Sequence, residues 1–174
     1  MLFPTLTFAI FFLLVLPLSW LTASRSGPWK LLMLAASWVF YGWWSGPGLG
    51  LLIANGIGNH VLARTVAQVK KDRARRWLVA LGVALNLAML GYFKYSHFLL
   101  ESLGDVSGNA RLASLASVFE VVLPVGISFY TFHGISYLVD VGRRQIAPGT
   151  QLDFWLYQAF FPHLVAGPIV RASE

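Results

Sequence analysis

The sequence contains no cysteine, which excludes disulfides, thiol nucleophiles and thiolate metal sites. It is also short of charge: 11% of its 174 residues are Asp, Glu, Lys or Arg, where a soluble domain carries about 25%. With 57% hydrophobic residues, the chain has too little polar surface to cover itself in water. The common soluble signatures are missing as well, with no nucleophile elbow, no phosphate-binding glycine loop and no HExxH. His60, His97, His133 and His163 fall on separate segments, so their spacing assembles no metal site. There is no alternating pattern of the outer-membrane barrel kind, no internal repeat and no low-complexity segment.

What the chain does have is a succession of apolar runs of bilayer length. They predict an all-α integral membrane protein of about six transmembrane or re-entrant helices. The first run, Leu6 to Ala23, has nothing basic before it and exceeds the roughly 7–15 residues of a signal core, so it reads as a retained span. Pro17 is expected to kink or unwind it. The second, Trp29 to Ser45, gathers Trp38, Tyr41, Trp43 and Trp44 toward its end, as rings do at the headgroup level. In the third, Gly50, Ala54 and Gly58 form a small face expected to admit a neighbouring helix, while Asn55 and Asn59 hydrogen-bond inside the bundle. The fourth, Trp77 to Phe93, repeats the device with Ala80, Ala84 and Ala88, carries Asn86 midway and ends at Lys94, which can snorkel. Spans three and four are about 17 residues each, roughly 25 Å, slightly short of a hydrocarbon core about 30 Å thick. The polar stretch from Ser96 to Ser117 reads as an external loop with room for a short surface helix.

Net charge is +6, and six of the thirteen basic residues crowd between Arg64 and Arg76, between two apolar runs. That is the pattern of a cytoplasmic loop, so no nucleic acid is called for. The links after spans one, three and five carry Arg25 with Lys30, that cluster, and Arg143 with Arg144; the other links carry only Lys94 and Arg111. The N-terminus is therefore expected outside. The basic loop is suited to an acidic protein partner or to anionic lipid, at about 1 kcal/mol per residue near such a surface.

The polar residues of the last fifty positions are the most informative. On a helix, Gly126, Tyr130, His133, Tyr137 and Asp140 fall at offsets 0, 4, 7, 11 and 14, a single stripe. Such a stripe faces protein or water, either as an interhelical hydrogen-bond seam or as the wall of a polar cavity. Glu120 lies near the outer end of this span and reads as wet. Further on, Pro162 and Pro168 stand six residues apart with His163, Gly167 and Arg171 around them, which predicts a broken helix or re-entrant loop. The candidate substrate-binding or cavity-lining residues are Tyr130, His133, Tyr137, Asp140, His163 and Arg171.

Three phrases in order, LVALGVALNLAMLGYFKYSHF, LPVGISFYTFHGISYLVDV and LDFWLYQAFFPHLVAGPIVR, together with SWVFYGWW, resemble the N-terminal half of the membrane-bound O-acyltransferases. The alginate O-acetylase-like bacterial branch is the nearest in pattern. The resemblance implies that residues 1–174 are the N-terminal portion of one larger membrane-embedded domain in the bacterial inner membrane. It implies transfer of an acetyl group from a cytoplasmic thioester donor, acetyl-CoA or an acyl-carrier protein, to a polysaccharide outside. No bound cofactor is implied, and periplasmic accessory acetylation proteins are further expected partners. The family's catalytic histidine sits in a Trp-His-Gly context, which is absent here, so the catalytic residue is expected beyond Glu174 and these residues alone are expected to be inactive. His133 and His163 stand where the family commonly has glutamine. The competing readings are a transporter, which also uses broken helices and midplane polar groups, and a non-catalytic membrane assembly subunit.

Overall fold

Helix boundaries follow the capping chemistry. The computed structural model describes residues 5–107 and 124–166, and every regular element among them is a helix: α1 (Leu6–Thr22), α2 (Ser26–Trp44), α3 (Gly46–Gln68), α4 (Asp72–Ser107), α5 (Ile127–Gly142), α6 (Gln151–Ala159) and α7 (Phe161–Ala166). The hydroxyl of Thr5 accepts from the Phe8 N–H at the start of α1, and that of Ser45 from the Gly48 N–H at the start of α3. Gly126 precedes α5 at φ 75°, a left-handed conformation glycine adopts without strain. It therefore caps the helix instead of extending the stripe along it. Thr150 and Asp153 form a reciprocal capping box on α6.

The centre of the bundle is the crossing of α3 and α5. A Cβ placed on Gly134 of α5 would lie 2.7 Å from the Asn59 amide nitrogen, so only glycine permits this approach. α4 packs against α5 where Gly142 meets Val79, and Gly82 fits between Leu62 and Leu138. Leu34, Tyr41, Leu52, Leu90, Ile127 and Tyr130 form one core joining α2 through α5. A second core at Phe11, Met33, Phe40 and Phe161 fixes α1 and α7 on α2. The Tyr41 hydroxyl donates to the Val125 carbonyl at 2.7 Å, tying the end of α2 to the start of α5.

Several sequence expectations change. Helix α1 runs through Pro17 without unwinding. Helices α3 and α4 extend over 23 and 36 residues, well beyond the expected spans of about 17. The stretch from Ser96 to Ser107, expected as an external loop with room for a short surface helix, continues α4 as helix, and a single Gly104 costs only about 1 kcal/mol there. Residues 108–117, Arg111 and Glu120 lie outside the described residues. Both small-residue stripes are exposed: Gly50, Ala54 and Gly58, and likewise Ala80, Ala84 and Ala88, face away from the bundle. The packed faces are Leu52, Gly56, Asn59 and Ala63 on α3, and Gly82, Asn86 and Leu90 on α4. Polar amides that must find partners outweigh small size in setting which face turns inward.

The expected break near Pro162 is present. Helix α6 stops at Phe160, where ψ is 110°, and α7 begins at Phe161. The freed Phe161 N–H donates to the buried Ser37 hydroxyl of α2 at 3.1 Å, so the break is satisfied by protein instead of by water.

The outer surface is apolar. Leu6, Leu13, Trp20 and Leu21 of α1 are each more than 65% exposed, as is Trp77 of α4. Among the described residues, Asp72–Tyr95 is long and apolar enough to cross a membrane, and α1 is a shorter apolar helix. A helix apolar on every side and covered on one alone is suited to hydrocarbon.

Candidate functional site

Tyr130, His133, Tyr137 and Asp140 all turn into the bundle, with exposures of 0, 1, 4 and 7%, joined by fully buried Thr131. The His133 ring lies 4.8 Å from that of Tyr157, and the Tyr137 ring 4.4 Å from Phe154, so α6 closes over the stripe with aromatic faces. No hydrogen-bond partner among the described residues reaches the Tyr130 hydroxyl, the Thr131 hydroxyl or Oδ2 of Asp140. The Gln158 carbonyl lies by the His133 ring and the Gly149 N–H by the Tyr137 hydroxyl, neither in hydrogen-bonding geometry. Buried polar atoms are paired in more than roughly 90% of cases, so a column with several unpaired atoms is an unusual feature.

Beside the column sits a hydrogen-bonded amide cluster. Asn59 donates to Oδ1 of Asn55 at 3.0 Å and to Oδ1 of Asn86 at 3.1 Å, while Asn86 donates back to Asn59 Oδ1 at 2.7 Å. Gln158 of α6 donates to Asn55 Oδ1 at 2.6 Å and to the Tyr130 carbonyl at 3.3 Å. Four carboxamides from α3, α4 and α6 thus fix the broken segment against α5. Gly56 lets the Gln158 and Trp155 side chains approach α3, since a Cβ there would lie 2.7 Å from both.

His163, half-buried on α7, places its ring edge-on to Phe160 with centroids 5.3 Å apart and sits within electrostatic reach of His133. Arg171, with Gly167 and Pro168, lies outside the described residues. Asn55, Asn59 and Asn86 were legible as interior amides, but Gln158 was passed over, although a glutamine inside an apolar run was the available signal. The pair between the Lys30 ammonium and the Asp153 carboxylate joins residues 123 apart and had no sequence signal. Among the described residues no group of three or more His, Cys, Asp or Glu could hold a metal.

With the broken helix and buried column in view, comparison defines the class: the chain is homologous along its length to part of the O-acetylases of the membrane-bound O-acyltransferase family. It is 41% identical to a protein named "Probable alginate O-acetylase" of Azotobacter vinelandii, a match that covers 100% of this chain and 35% of that protein. To the protein of the same name from Pseudomonas aeruginosa it is 40% identical, over 83% of this chain and 28% of that one. A "Peptidoglycan O-acetyltransferase" of Helicobacter pylori is 31% identical, again over 83% of this chain and 31% of its own length. The chain therefore spans about a third of the length of the curated relatives it matches. No family model and no solved structure matches it.

Proposed function

We propose that this chain is the scaffold portion of a multi-spanning O-acetyltransferase of a bacterial inner membrane. The observation that carries the reading is the match over the whole chain to proteins named as alginate O-acetylases, at 41% identity. The acetyl group passes from a cytoplasmic thioester donor, acetyl-CoA or an acyl-carrier protein, to hydroxyls of an extracytoplasmic polysaccharide such as alginate. The second relative class, named for peptidoglycan, makes another cell-surface polysaccharide the alternative acceptor.

The physical logic is exclusion of water. A thioester that meets water loses its acyl group to hydrolysis, so transfer to a sugar hydroxyl benefits from a sheltered passage. The column from Tyr130 to Asp140 supplies polar groups with unsatisfied capacity at bilayer depth, and the apolar exterior seals them from solvent. No residue from 1 to 174 is assigned the catalytic histidine, since His60, His97, His133 and His163 all lack the Trp-His-Gly context.

Labelled acetyl transfer to alginate in membrane vesicles containing the full-length protein tests the proposal. Radiolabel incorporated only when the protein is present is the expected result; incorporation equal to protein-free vesicles contradicts it. Orientation is open to a cleaner test because these residues contain no cysteine of their own, so single cysteines can be placed here in a full-length background cleared of any others. Gly46→Cys, at the exposed first position of α3 with nothing within 4 Å of an added Cβ, is expected to react with an impermeant thiol reagent in intact spheroplasts. Lys71→Cys is expected to react only after lysis, and the reverse pattern would invert the topology.

A further inference from the structure

Most of the chain's positive charge gathers at one end of the bundle. The α1–α2 and α3–α4 links, the ends of the helices they join and the turn after α5 hold ten of the thirteen basic residues, against Asp72, Asp140 and Asp153. At this end a groove of about 590 Å³ opens between the second half of α3 and the start of α6, lined by His60, Arg64, Gly149, Gln151 and Asp153 among others. None of the amide cluster forms its wall.

The groove's wall holds polar groups that have no partner among the described residues. Arg64 is exposed and makes no ion pair with a carboxylate among the described residues. His60 is 3% exposed, yet its Nδ1 has no hydrogen-bond partner, and neither has the buried Nε2 of Gln151. The one carboxylate in the wall, Asp153, is already engaged by the Lys30 ammonium and by the N–H and hydroxyl of Thr150. What remains in the same wall is the guanidinium fork of Arg64, with the Gln151 amide and the His60 imidazole beside it. Their complement is an anion with several oxygens, and a guanidinium binds a phosphate through two parallel bonds.

We propose that this groove binds a phosphate group. A carboxylate offers the fork two oxygens and no more, whereas a phosphate keeps further oxygens for the Gln151 amide and the His60 imidazole of the same wall. The phosphate comes either from a soluble thioester donor or from a lipid headgroup. The site stands on the groove's own donors, and the acetyl-transfer reading enters solely in linking the soluble source to catalysis.

Inorganic pyrophosphate titrated calorimetrically into the full-length protein in phosphatidylcholine nanodiscs tests the soluble source. Immobilisation of phosphatidylglycerol by the protein, read by phosphorus NMR, tests the lipid source. Arg64→Gln and Gln151→Ala alter the groove, while Lys71→Gln removes an equal charge from the same end outside it. For a charge-assisted pair the expected loss with Arg64→Gln is about tenfold or more, against less than about twofold with Lys71→Gln. That pattern with pyrophosphate assigns a soluble phosphate; the same pattern with phosphatidylglycerol alone assigns a headgroup. Equal losses for Arg64→Gln and Lys71→Gln, or no binding of either probe, overturn the proposal. Binding is read without acetyl transfer, so its failure is separate from failure of the enzymatic reading.

Discussion

Asn59→Asp is expected to destabilise the bundle by about 3–5 kcal/mol, the range for stranding a buried charge without a partner, and to lower the thermal unfolding midpoint in detergent accordingly. The replacement is nearly isosteric, so it tests chemistry and not volume. The two N–H groups of Asn59 Nδ2 are shared among three acceptors within 3.1 Å, the Asn55 carbonyl, Asn55 Oδ1 and Asn86 Oδ1. A carboxylate in its place turns oxygen toward oxygen at about 3 Å with no cation nearby. Asn59→Leu should cost less, about 2 kcal/mol, because Asn55 Oδ1 keeps Gln158, Asn86 Oδ1 keeps Asn55, and Asn86 Nδ2 keeps the Gly82 carbonyl. An Asn59→Asp variant as stable as wild type at neutral pH would mean the amide cluster is not a lock.

The helical class, the broken segment before Pro162 and the inward turn of the α5 stripe could be read from the residues, because each rests on local rules: length, proline chemistry and helical period. Which face of α3 and α4 packs inward could not. The stripe of Gly50, Ala54 and Gly58 is the more regular pattern, but Asn59 and Asn86 carry amides that must pair when buried, and that demand wins. This competition is visible only when partners from several helices are known. The same holds for Gln158, whose significance comes from Asn55, 103 positions away. The phosphate groove also escaped the sequence, since it joins Arg64 to a capping turn more than eighty residues later.

The second large effect concerns the column itself. His133→Phe preserves a planar ring against Tyr157 while removing both nitrogens, so the packing of α5 on α6 has little reason to change. Because neither nitrogen makes a hydrogen bond among the described residues, folding loses little by their removal. If the imidazole instead serves a polar group passing through the sheltered interior, acetyl transfer loses a positioning contact. A buried hydrogen bond that matters to the transition state is worth roughly 1.5–3 kcal/mol when one partner is charged, or about ten- to a hundredfold in rate. Tyr130→Phe and Thr131→Val probe neighbouring unpaired atoms in the same way, and their losses should not simply add.

The most direct test is therefore labelled acetyl transfer by full-length His133→Phe in vesicles, with the unfolding midpoint measured in parallel. At an unchanged midpoint, transfer at least tenfold below wild type is the predicted result. Transfer within about twofold of wild type at that same midpoint would show the column to be packing alone and remove the sheltered polar passage from the account.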